Sequence, residues 1–319
     1  MPASTSRLLA APLITGTCLI LLAGCGSSSA SGDSADSGSG TAAQSPAAAS
    51  AVPVVASTDV YGDMVKQIGG RKVEVTSIIS DPDQDPHSYE ANTQNQLALS
   101  KAKVVVENGG GYDDFIDRML KTSGDPSAEV INAVKVSGKS APAGGELNEH
   151  VWYDFPTVAA LADRIAAALS KADPDDAATF TKRAEDFKGK LKPLEQKEAK
   201  IKADHGGEAV AITEPVPLYM IEASGLTNAT PEAFSEAIEE GDDVSPRTLQ
   251  DTLALFTDKK VEALVYNEQT SGPQTEKAEQ TAKAAGIPVV PVTETLPKGE
   301  DYLGWMTANV DALASALAK

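Results

Sequence analysis

After residue 50 the apolar positions change period again and again, and each change reads as a strand giving way to a helix. Val52–Ala56 is a short apolar run, and Val60–Ile68 follows with helical spacing before Gly69-Gly70. Val73–Ile79 reads as a second strand, followed by the Pro/Asp-rich loop DPDQDPHSYE. Thr93-Gln94-Asn95-Gln96 fits a capping box that opens a helix through Lys101. Val104–Glu107 is a third strand, Asn108-Gly109-Gly110-Gly111 a loop, Tyr112–Lys121 a helix, and Ala128–Val136 holds a further strand. Strands alternating with helices predict an α/β lobe built on a largely parallel sheet.

The middle of the chain has a different rhythm. Pro156–Lys171 is helical, with its proline in the first turn. From Asp173-Pro174 to about Asp204, the residues Phe180, Ala184, Phe187, Leu191, Leu194 and Ile201 fall at spacings of four, three, four, three and seven. That is one apolar stripe on a single long helix, with Pro193 as a candidate kink. Alternation then resumes. Ala209–Thr213, Val261–Tyr266 and Ile287–Val292 read as strands. Val216–Ser224, Ser245–Phe256, Pro273–Ala285 and Tyr302–Leu317 read as helices, with Ser245 as a cap and Gly225 and Gly286 as stops. The expected fold is α/β: two lobes at 52–155 and 207–319, joined by a helical spine at 156–206.

The first 51 residues carry no such pattern. Arg7 precedes an apolar run from Leu8 to Leu22, which meets the small residues Ala23 and Gly24 before Cys25. This is the order of an export signal, and the run is short for a membrane-spanning helix. Leu22-Ala23-Gly24-Cys25 also resembles the lipobox of bacterial lipoproteins. The resemblance implies a signal peptide over 1–24, cleavage before Cys25, and acyl chains on that residue. Such chains anchor through about 0.8 kcal/mol for each buried CH₂. Residues 26–50 are almost entirely Gly, Ser and Ala, so 25–51 reads as the lipidated cysteine and a tether. Its random-coil span is roughly 25–30 Å. The expected location is outside the cytoplasm, anchored by lipid to the cell membrane.

Charge and cysteine usage narrow the chemistry. The chain carries 46 acidic against 27 basic side chains, a net charge of −19, which argues against nucleic acid. Both cysteines, Cys18 and Cys25, lie in the N-terminal segment, so the body has neither disulfides nor thiolate metal sites. HExxH, GxSxG and the GK[ST] ending of a phosphate loop are absent. The run Glu236–Asp243 reads as a solvated acidic face, with a docking surface for a permease as the alternative.

Only three histidines occur: His87, His150 and His205. His205 ends the long helix, where it favours the helix dipole. His87 sits in the loop after a strand and His150 before a helix. Glu214 and Glu294 each follow a strand of the second lobe. Ligands of open parallel sheets collect beyond the carboxyl ends of strands. Two imidazoles and two carboxylates would neutralise a divalent ion and suit Zn²⁺ or Mn²⁺. Each residue alone also has an ordinary reading as a packed histidine or a solvated loop carboxylate.

Asp85-Pro86-His87-Ser88-Tyr89-Glu90 resembles the first ligand motif of the metal-binding solute-binding proteins of ABC importers, the zinc and manganese group (cluster A-I). Asn108-Gly109-Gly110-Gly111 resembles that family's glycine turn, and His150-Val151-Trp152-Tyr153-Asp154 its second ligand motif. Thr213-Glu214-Pro215 and Val292-Thr293-Glu294-Thr295 fall where it carries its third and fourth ligands. The resemblance covers the chain after residue 52. It implies two lobes joined by a rigid long helix, as in class III periplasmic binding proteins. It also implies no enzymatic activity, capture of Zn²⁺ or Mn²⁺ by His87, His150, Glu214 and Glu294, and delivery to an ABC permease by a monomer. Two departures bear on the ion: Ser137–Glu149 contains no histidine, and the third ligand is Glu rather than His. Carboxylates favour Mn²⁺, while the affinity order favours Zn²⁺, so the choice stays open. The alternatives are a siderophore- or cobalamin-binding relative, a surface zinc enzyme, and an added adhesin role.

Overall fold

A computed structural model describes residues 51–81, 89–90, 92–123, 127–143 and 145–319. Cys25 and the N-terminal signal and tether, and His87 in its loop, lie outside these described residues. The first lobe runs β1 (Val52–Thr58), α1 (Asp59–Gly69), β2 (Val73–Ile79), α2 (Thr93–Leu99), β3 (Val104–Glu107), α3 (Phe115–Ser123), β4 (Glu129–Asn132) and α4 (Ala133–Ser137). The connecting helices are α5 (Phe155–Ala172) and α6 (Ala177–His205). The second lobe runs β5 (Ala209–Ile212), α7 (Leu218–Ala223), β6 (Thr227–Asn228), α8 (Glu232–Glu239), α9 (Pro246–Thr257), β7 (Leu264–Asn267), α10 (Pro273–Ala285), β8 (Val289–Val292) and α11 (Tyr302–Leu317).

Each lobe is built on one four-stranded parallel sheet, ordered β2-β1-β3-β4 in the first and β6-β5-β7-β8 in the second. The strand order reverses direction between β1 and β3, and again between β5 and β7. These switch points open a crevice beyond the carboxyl ends of the strands in each lobe.

The long helix is continuous from Ala177 to His205 and runs through Pro193. Its buried face is Phe180, Ala184, Phe187, Leu191, Leu194 and Ile201, together with Glu198. The stripe is therefore the one the spacing predicts, with a carboxylate filling the seven-residue gap. That face joins β1, β3, α5, β5 and α11 in one apolar cluster that spans both sheets. A shared core of this kind resists separation of the lobes, since each large apolar side chain it holds is worth about 1.5–3 kcal/mol of burial.

Two local expectations shift. The cap of α2 is Asn92, not Thr93: its side chain accepts hydrogen bonds from the N–H groups of Gln94 and Asn95. A short polar side chain at this position satisfies two of the orphan donors at the helix start. The acidic run at 236–243 begins inside α8 instead of lying wholly on a solvated face, and Glu239 turns inward with only 13% of its side chain exposed. Other signals land as read: Ser245 caps α9 through Thr248 N, and Gly286 ends α10 with φ 77°. Among the described residues, no helix is long and apolar enough to cross a membrane.

Candidate metal centre

His150 is placed by a chain of polar contacts that starts in the glycine turn after β3. Gly109, Gly110 and Gly111 all have positive φ (76°, 74° and 108°), which only glycine adopts without strain. The turn is closed by Asp113, whose carboxylate accepts from Asn108 N at 2.6 Å and Gly109 N at 2.7 Å. Asn108 then donates from Nδ2 to Glu149 O at 3.0 Å, fixing the segment that carries the histidine.

The imidazole of His150 is 1% exposed. Trp152 lies 5.0 Å away and Tyr112 5.9 Å away, centroid to centroid, both edge-on. His150 Nδ1 lies 2.8 Å from Asn148 Oδ1, an oxygen that also accepts from His150 N at 3.0 Å. An amide oxygen only accepts, so Nδ1 carries the proton and Nε2 presents its lone pair. A metal-ligating imidazole needs this arrangement, with the outer nitrogen held by a partner. Nε2 faces Glu239 Oε1 at 3.6 Å.

The second lobe supplies carboxylates from the ends of its strands. Glu214 lies two residues past β5 and is 3% exposed, and Glu294 lies two residues past β8. Both accept from Asn267 Nδ2 at the end of β7, with the contact to Glu294 at 2.8 Å. One amide thus holds two like charges side by side. The Glu294 loop is clamped by Gln269, whose Oε1 accepts from Glu294 N at 2.6 Å and Thr295 N at 3.1 Å.

The negative charges are crowded. Burial pushes the Glu239 carboxyl well above the ordinary carboxylate range, and the nearby charges of Glu149, Glu214 and Glu294 push it further. Loss of water raises a buried acid's pKa, and neighbouring anions raise it more. A divalent cation would relieve both effects together. One ligand atom from each of Glu149, His150 and Glu239 already lies within 4.8 Å of the others.

Of the four sequence-derived candidates, Glu214 and Glu294 share Asn267, His150 faces Glu239, whose carboxyl feels the charges of both glutamates, and His87 lies outside the described residues. His205 is remote from them in role, pairing with Glu208 at 3.1 Å at the end of α6. Sequence reading missed Asn148, Asn267, Gln269 and Glu239. Asn267 had a usable signal, as a polar residue closing an apolar strand at the end where ligands gather.

The two lobes meet around the crevice through direct hydrogen bonds. Asn148 Nδ2 donates to Pro215 O at 3.0 Å, Tyr219 Oη to Asn148 O at 2.6 Å, and Tyr153 Oη to Thr293 O at 2.8 Å. Deeper in, Tyr302 Oη donates to Trp152 O at 2.6 Å, and Asp63 accepts from Tyr302 N at 2.9 Å.

Residues 54–316 match the family model described as zinc-uptake complex component A, periplasmic. The chain belongs to this family. The manganese-binding lipoprotein MntA of Bacillus subtilis is 27% identical over 93% of this chain and 95% of its own length. The iron ABC transporter substrate-binding lipoprotein MtsA of Streptococcus pyogenes serotype M1 is 26% identical over 83% of this chain and 89% of its own. In fold, the chain is similar to the periplasmic zinc-binding protein TroA of Treponema pallidum. The TM-score is 0.69 at 21% identity, over 84% of this chain and all of that one (100%).

Proposed function

We propose that this protein captures a divalent transition-metal ion outside the cytoplasmic membrane and delivers it to the permease of an ABC importer. His87 and His150 from the first lobe, with Glu214 and Glu294 from the second, are the proposed ligands. The observation that carries this reading is a buried His150 whose Nε2 faces Glu239 of the second lobe at 3.6 Å, beside a carboxyl on which the charges of Glu214 and Glu294 act. Four protein ligands close the shell, so the ion is cargo and not a centre for activating water. The inter-lobe hydrogen bonds and shared core favour release by a small shift or local loop movement over wide hinge opening.

The relatives, a manganese-binding lipoprotein and an iron ABC transporter lipoprotein among them, support a transition-metal cargo without choosing one. A chelate-binding role is disfavoured by the cavity beside the site. It is lined by Glu146, Glu149, Glu232, Glu236, Glu239 and Glu240, a surface that repels anionic chelates. Protein purified from its native host is expected to carry one equivalent of Zn²⁺ or Mn²⁺ by elemental analysis, and His87→Ala protein much less than one. Metal content unchanged by His87→Ala would remove that residue from the ligand set.

Anchoring through lipid on Cys25 is part of the same reading, supported by the lipobox-like LAGC segment and by relatives named lipoproteins. Cys25→Ser is expected to shift most of the protein from the membrane fraction to the soluble extracytoplasmic fraction. An unchanged distribution would argue for attachment by other means.

A further inference from the structure

We propose that Glu149, His150 and Glu239 form an outer metal position, where an incoming cation rests before it reaches the four-ligand set. The proposal rests on the capture function argued above and adds a ligand, Glu239, that the motifs do not point to.

The geometry is the starting point. Two ligands on a tetrahedral ion with bonds of about 2.1 Å lie about 3.4 Å apart. His150 Nε2 and Glu239 Oε1 are 3.6 Å apart, almost a ready-made tetrahedral edge. With Glu149, the three ligand atoms all lie within 4.8 Å of one another, so modest side-chain motion closes them on an ion. One neutral imidazole and two carboxylates balance a dication. Three protein ligands also leave a position for water, which suits a site that must let its ion move on.

A second observation is independent of this spacing. Glu239 Oε1 is shielded from solvent and accepts no hydrogen bond from the described residues. A buried carboxylate oxygen without a donor costs free energy that an ion would recover. Its neighbour is ready to bind, because Asn148 holds His150 Nδ1 and turns Nε2 toward Glu239.

A cavity of about 640 Å³ lies between the glycine turn and the segment 146–149 on one side and α7 and α8 on the other. Glu149 and Glu239 line it, while the buried His150 lies behind them. An ion arriving through this cavity meets the triad first. Glu146, Glu232 and Glu236 on the cavity wall raise the local cation concentration.

The test uses the metal-free purified protein, mixed rapidly with Zn²⁺ or Mn²⁺, with the fluorescence of Trp152 beside His150 as reporter. Glu239→Gln keeps size and removes the ligand charge, and Glu236→Gln removes a charge from the cavity wall only. Glu239→Gln is expected to slow metal entry at least fivefold and Glu236→Gln less than twofold, with equilibrium affinity falling less than in Glu214→Gln. Equal slowing by both variants, or none by Glu239→Gln, would overturn the proposal and leave only a field effect or none. Failure of the unaltered protein to bind either ion would instead bring down the capture reading itself, and this proposal with it.

Discussion

In a His150→Ala protein the metal-dependent rise in melting temperature is expected to vanish. A ligand that binds only the folded state stabilises it by about 4 kcal/mol at a thousandfold excess over its Kd. For a body of this size, each kcal/mol moves the melting point by roughly 2–4 °C, so the unaltered protein should gain roughly 8–16 °C. His150 is the proposed source of the ligand nitrogen that Asn148 prepares by holding Nδ1. Its loss would also leave the charges of Glu149, Glu214 and Glu294 acting on Glu239 without the imidazole proposed to help hold a neutralising ion. The variant's metal-free form will itself be weakened, because a buried ring is removed. The informative quantity is therefore the difference between metal-loaded and metal-free melting for each protein. His205→Ala, which removes a half-buried histidine paired with Glu208 at the far end of α6, should keep the full difference. A His150→Ala protein that still gained 8 °C or more with metal, on the scale just given, would exclude this histidine from the site.

The second large effect concerns the spine and not the metal. Glu198 of α6 is 4% exposed, and its Oε1 has no hydrogen-bond partner among the described residues. Burial, followed by the charges of Asp154 and Glu195, pushes its carboxyl up to about 8 from an ordinary 4.5. Between those values the folded protein holds a proton that the unfolded chain has released. Stability falls with rising pH wherever the folded state binds more protons. The metal-free protein should therefore lose stability from about pH 4.5 to about pH 8 at this position, by an amount on the order of 3–5 kcal/mol. Glu198→Gln keeps the shape and removes the titration. Thermal melts should place it close to the unaltered protein at pH 5 and well above it at pH 9. Curves that stay parallel from pH 5 to pH 9 would mean that Glu198 finds a partner when charged.

Much of the fold was legible because its signals are local. The stripe on α6 follows from side chains three and four residues apart sharing a helix face. The strands announce themselves as apolar runs because a parallel sheet is buried on both sides. Glu198 marks the limit of such reading. Its place in the stripe was left open at the seven-residue gap between Leu194 and Ile201, and no pattern says that a carboxylate fills it. The same holds at α8, where the acidic run gave no sign that Glu239 alone faces inward.

The sequence by itself marked the alternating strands and helices and the long helix, and it singled out His87, His150, Glu214 and Glu294 as candidates through strand ends, scarce histidines and motifs that resemble the family's. Only the tertiary structure decided which groups serve them. Asn148, Asn267 and Gln269 are ordinary polar residues until folding sets them beside an imidazole or a pair of carboxylates. Asn267 lies 53 residues from Glu214 and 27 from Glu294, and it meets both because β7 sits between β5 and β8 in the sheet. Hydrogen bonds act over about 3 Å in space, whatever the distance along the chain. The support of a metal centre is for that reason a property of the packed structure.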